Sequence, residues 1–210
     1  MDKIIGYYRE IKAEMLEKLS NDDFWIITVE NLIQQNIQYR NWKKDYWKDR
    51  NTRDKQMAIN LKWLTEKKYP NEKIIVWAHN YHVSKYSGHY STEFLNNART
   101  MGNVFTEDST LMNKTYIIGF TSYGGTAGRT FEKTYKIQKP KSKGFENWMN
   151  KRYKYAFVDF KNYNVLHPSG YNSFYMKCSM TSPYHRDEEA QWTKIFDGVF
   201  YIREMYPIVK

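Results

Sequence analysis

The residues with the clearest chemical potential are His79 and His82, in the stretch Trp77-Ala78-His79-Asn80-Tyr81-His82. Two imidazoles three positions apart can act as a general base, as donors to a developing oxyanion, or as metal ligands. Asn80, between them, can orient a ring or donate a hydrogen bond. A lone histidine at such a position is often only tied to a nearby carbonyl, so the pairing is what gives this stretch weight. A metal site would start from His79, His82 and His89, and zinc takes three or four His, Cys or carboxylate ligands. The one cysteine, Cys178, is remote in sequence, and His89 lies beyond a Ser-Gly turn. The expectation is therefore no metal and no cofactor. No G-x-S-x-G elbow, P-loop or G-x-G-x-x-G stands between a strand and a helix. Gly124-Gly125 reads as a turn, and Cys178 as packing.

Reactive groups need a scaffold. The run Ile74-Ile75-Val76-Trp77-Ala78 is short, apolar and β-branched. It predicts a strand buried on both faces, as in a parallel sheet. Ligands of open α/β sheets bind beyond the carboxyl ends of strands, which is where the two histidines stand. Before this run the pattern is helical. Ile4, Tyr8, Ile11, Met15 and Leu19 define one face of a helix over 3–19. Ser20 with Asp23 resembles a capping box opening a second helix, with Trp25, Val29, Leu32, Asn36 and Tyr39 on one face, to about Trp47. A third helix over 52–68 is stopped by Pro70-Asn71.

After the histidines a polar loop runs to about residue 90, then a helix near 91–105. Further strands are expected at 116–120, 130–138, 155–160 and 196–202, with a short helix over 144–152 and a turn at 167–170. Residues 174–180 stay ambiguous between element types. The order predicts an α/β fold, a partly parallel or mixed sheet flanked by helices. Residues 1–70 form a helical segment packing on the sheet region 71–210, together one domain.

Composition narrows the class. The chain has 210 residues, 33 Lys+Arg against 23 Asp+Glu, a formal charge of +10, and 18% aromatic residues. With 41% hydrophobic residues it can build a core, so a disordered tail is excluded. No apolar run approaches the ~20 residues of a membrane helix. A single cysteine suits a reducing compartment, and Met1-Asp2-Lys3 leads into a charged amphipathic segment, so a cytoplasmic protein is expected. The basic excess gathers around Arg40–Lys55 and Lys139–Lys154, interleaved with Tyr and Trp, which offers a nucleic-acid reading. Asp45, Asp49 and Asp54 dilute the first cluster, and no nucleic-acid motif accompanies it. That reading is the lesser one.

The stretch Arg53-Asp54-Lys55-Gln56-Met57-Ala58-Ile59-Asn60, followed by the apolar run into Trp77-Ala78-His79-Asn80-Tyr81-His82, resembles the erythromycin esterase family. Thr100-Met101-Gly102, Tyr116-Ile117-Ile118-Gly119-Phe120 and Phe196-Asp197-Gly198-Val199-Phe200 are similar to further segments of that family. The resemblance implies a bacterial hydrolase of carboxylic esters or lactones. Macrolides, and hence antibiotic resistance, are the named connection for some members, and others carry a succinoglycan-biosynthesis label. Its chemistry would be histidine-assisted attack by water, with no cofactor. It implies His79 and His82 as catalytic residues, and Arg53 and Asn80 as substrate-binding or orienting residues. Asn60, on one side with Met57 and Leu64 at helical spacing, is expected to cap or tether the strand loop. Family members are about twice as long, and their N-terminal half carries a Glu-x-x-His strand end. Gly6 is followed here by Tyr7-Tyr8-Arg9, and no Glu-x-x-His precedes His79. The chain is thus expected to be incomplete relative to the family fold. It would be a C-terminal part, a product that pairs with a complementary N-terminal chain or forms a homo-oligomer, or a non-catalytic binding module.

Overall fold

The computed structural model describes residues 1–42, 44–85, 95, 97–128, 133–168, 172–178 and 185–207. The chain divides into two compact units. One comprises Met1–Ala78 and Asn97–Asn113, the other His79–Asn96 and Lys114–Lys210.

The first unit is helical. Helix α1 covers Asp2–Leu16, α2 Phe24–Asn41 and α3 Tyr46–Trp63, with one π turn over Leu64–Lys68. Asp23 caps α2 by accepting the Trp25 N–H, and Asp45 caps α3 by accepting the Lys48 N–H. The capping box expected from Ser20 does not form, because its hydroxyl donates to Asp22 instead. The helical pattern thought to run on to Trp47 breaks after Asn41, since a second cap at Asp45 starts a new helix. Ile5, Val29 and Ile33 form the core between α1 and α2, with Tyr8, Met15 and Ile37 against them. Ile4 and Ile11 stay exposed, so the buried stripe is rotated from the expected one. Short helices α5 (Met101–Phe105) and α6 (Ser109–Asn113) complete this unit.

The expected strand over 74–78 is corrected. These residues are not assigned to any strand, and Ile75 is 91% and Trp77 81% exposed. A β-branched apolar run specifies what a strand would bury, and a strand forms only where a neighbour supplies the ladder.

The second unit carries the sheet. After the short helix α4 (Asn80–Val83) come β1 (Ile118–Ala127), β2 (Tyr135–Ile137), β3 (Tyr155–Asp159), α7 (Phe160–Leu166), β4 (Phe174–Met176), β5 (Glu188–Ala190), α8 (Trp192–Ile195) and β6 (Gly198–Met205). A 3-10 turn spans Phe145–Trp148. Four strands form one sheet in the order β2-β1-β6-β3, and β4 pairs with β5 in a second. The β1–β6 pair is parallel and the others are antiparallel, so the sheet is mixed, as expected. Asp197 fastens the start of the parallel pair. Its carboxylate accepts the Ile117 N–H at 2.8 Å and the Lys85 ammonium at 2.7 Å.

Gly124-Gly125 lies inside β1 and makes no turn. Gly125 has φ +105°, and an added Cβ would stand 2.2 Å from the Met205 carbonyl oxygen. The glycine serves close approach of two backbones. Val199, Tyr201, Trp192, Ile195 and Phe196 are fully buried on the covered side of this sheet.

Candidate active site

The site is built on the turn from His79 to His82. His79 has extended backbone and is the N-cap of α4. Its Nδ1 accepts the Tyr81 N–H at 3.1 Å. An accepting Nδ1 carries no proton, so the neutral ring holds its proton on Nε2 and presents a donor there. His82 closes the same turn, its N–H bonded to the His79 carbonyl at 2.9 Å. Its ring meets the Tyr81 ring edge-on at 5.2 Å. His79 is exposed and His82 half-buried.

Asn80 docks this turn on the sheet. Its Oδ1 accepts the Phe120 N–H at 2.9 Å and its Nδ2 donates to the Phe120 carbonyl at 2.7 Å. The carboxamide therefore satisfies both backbone groups of one β1 residue, as a neighbouring strand would. The same Nδ2 lies 2.7 Å from Cys178 Sγ. Both amide protons of Asn80 are thus engaged in holding the turn against Phe120 and Cys178. Cys178 is a buried thiol, and its burial, followed by the charges of Glu188 and Glu146, pushes its pKa well up.

Sequence reasoning missed the buried acid next to this connection. Glu146, on the 3-10 turn, is fully buried. Its Oε1 accepts the Thr121 hydroxyl and the Lys177 N–H, the latter at 2.7 Å. Its Oε2 has no partner among the described residues. Burial raises its pKa, against the lowering effect of those two bonds. Thr121 follows the docked Phe120 on β1, and Lys177 precedes Cys178 just after β4, so the acid is bonded to the neighbours of both residues that Asn80 touches. The signal in the sequence was one acid set between Phe145 and Trp148, which reads at first sight as a surface charge.

The remaining candidates lie in the first unit. Arg53 is exposed on α3. Beside it Asp54 is buried and accepts the Met101 N–H at 3.1 Å, which anchors the start of α5. Asn60 donates to Asn31 at 2.7 Å and accepts from Gln56 at 2.9 Å. It joins α3 to α2. His89 lies outside the described residues. Among the described residues no three His, Cys, Asp or Glu side chains converge on a metal position.

Comparison with known proteins decides the family. The sequence profile of the erythromycin esterase family matches residues 2–205. The chain belongs to this family. YbfO of Bacillus subtilis (strain 168), a hydrolase by name, is 30% identical over 165 residues, which is 75% of this chain and 35% of that protein. A solved Bacillus cereus protein superposes with a TM-score of 0.74 at 16% identity. A solved succinoglycan biosynthesis protein gives 0.71 at 20%, and a mutant of erythromycin esterase EreC in its open conformation gives 0.64 at 18%. Each superposition covers 97% of this chain and 50–52% of the other, and it shows a shared fold. This erythromycin esterase family member spans about half the length of these neighbours. Among the described residues, no helix is long and apolar enough to cross a membrane.

Proposed function

We propose that the chain carries the histidine part of an ester-hydrolysing site, acting on carboxylic esters or lactones by attack of water without a covalent enzyme intermediate. The observation that carries this reading is the His79 geometry. The Tyr81 N–H holds Nδ1 as an acceptor, which leaves Nε2–H as the donor. A fixed neutral donor suits the carbonyl oxygen of an ester, where negative charge grows in the tetrahedral transition state. His82, on the same turn, is the base. It takes the proton of the attacking water as the new C–O bond forms, then gives it to the departing alkoxide as the old C–O bond breaks. Asn80 positions both rings through Phe120. Membership of a family that includes erythromycin esterases, and a named hydrolase among its relatives, supports this class, and macrolide lactones are the finer substrate proposed.

The test is hydrolysis of p-nitrophenyl esters and of erythromycin by the whole chain, by His79→Ala and by His82→Ala. The expected losses are about 10²–10³-fold for His79→Ala and about 10²–10⁴-fold for His82→Ala. Equal rates at the buffer background in all three would remove catalysis by this chain alone and leave a binding module of the same fold.

A further inference from the structure

The mixed sheet of the second unit has two unequal faces. The register sets Ile118 and Phe120 on β1, Phe200 and Ile202 on β6, and Phe157 and Tyr155 on β3 on one face. Phe120 and Phe157 both stand opposite Phe200 in the register, so these side chains run across three neighbouring strands. Phe120 lies 5.6 Å from Phe200, Phe200 lies 6.3 Å from Tyr155, and Phe157 lies 6.4 Å from Tyr116. On the opposite face Val199 and Tyr201 are fully buried, and Ala156 and Val158 of β3 are partly buried. On the aromatic face, Tyr155 is 63%, Phe157 49%, Ile118 41% and Phe120 36% exposed. A contiguous apolar band of this kind on an α/β sheet, whose faces helices ordinarily cover, marks an interaction surface.

Two observations identify the occupant. The solved neighbours match 97% of this chain with only 50–52% of their own length, so polypeptide about as long as this chain accompanies the same fold there. The chain also carries a charge of +10. Two copies meeting face to face would bring like charges together, whereas an acidic partner would be drawn in. We propose that the aromatic face receives an acidic α/β polypeptide equivalent to the half of the longer family members that this chain does not span, packing an apolar helix across Phe120, Phe200, Phe157 and Tyr155. Aromatic anchors at the centre of a patch carry most of the affinity in such interfaces.

The experiment co-expresses the full chain with a tagged portion of YbfO, the part outside its 165 matched residues. The expected result is co-purification at one-to-one stoichiometry, with amide exchange slowed at 118–120 and 155–159. Phe157→Glu and, separately, Tyr155→Glu should each lower the recovered complex at least tenfold while the circular dichroism stays that of the parent. Tyr155→Glu decides the matter if Phe157→Glu fails to fold. Absence of a complex, or a homodimer of the chain that the same substitutions split, would overturn the proposal.

Discussion

Asn80 and His79 divide the work of the turn between them. Asn80→Asp keeps size and shape but sets a carboxylate oxygen against the Phe120 carbonyl in place of an amide donor. It should cost about 1–3 kcal/mol, more than a neutral loss of one bond, and chemical denaturation of both proteins reads it directly. Activity should fall with it, because the histidines ride on that anchor. Glu146 makes a separate prediction. Its folded pKa is raised above the ordinary 4.5 by burial. The sign follows. The folded state holds this proton more tightly, so the contribution is full below about 4.5 and is lost as pH rises through the raised value. Glu146→Gln keeps the acceptor for Thr121 and Lys177 and removes the titration. The difference in melting temperature between the variant and the parent should therefore grow in the variant's favour from pH 4.5 toward neutrality. A difference that is flat with pH would show that folding does not raise the pKa of Glu146.

The elements that hold these residues tolerate little change where glycines let neighbours approach closely, as at Gly119 and Gly125. Gly119→Ala would drive a methyl to 2.7 Å from the Phe196 ring, which is fully buried and stacked on Trp192. It should cost about 1–3 kcal/mol by overpacking. Gly125→Ala should cost more, because its obstacle is the Met205 backbone and its φ is positive. Thermal melts of the two variants should rank them in that order. Much of this layer was legible in the sequence. Apolar runs at 116–120, 155–160 and 196–202 each correspond to a strand, since their β-branched and aromatic residues pack a pleated surface in any context. The helix faces were displaced by a residue or so, because periodicity gives a stripe but not which neighbour it meets. The run at 74–78 was misread, since an apolar segment announces a need for pairing without saying whether the pairing partner is present. The buried role of Glu146 was invisible because nothing local marks an acid that tertiary packing will enclose. The histidine turn was legible in residue type and place, while the Nδ1 acceptor and the Phe120 anchor depend on distances no spacing encodes.

For the molecule as a whole, length and charge carry the message. The chain matches about half of each solved neighbour, carries +10 and bares an aromatic sheet face, and the proposed docking rests on these three observations. Activity of the chain alone then depends on how much of the chemistry the histidine turn performs unaided. Hydrolysis of a p-nitrophenyl ester by the 210-residue chain, compared with His79→Gln and His79→Ala at matched folding, puts that question directly. Glutamine can return an N–H donor close to the position of Nε2, and alanine cannot. If His79 acts as a fixed donor to the oxyanion, His79→Gln should retain at least tenfold more activity than His79→Ala. Equal loss in both variants, or no loss in either, would contradict the role assigned to His79.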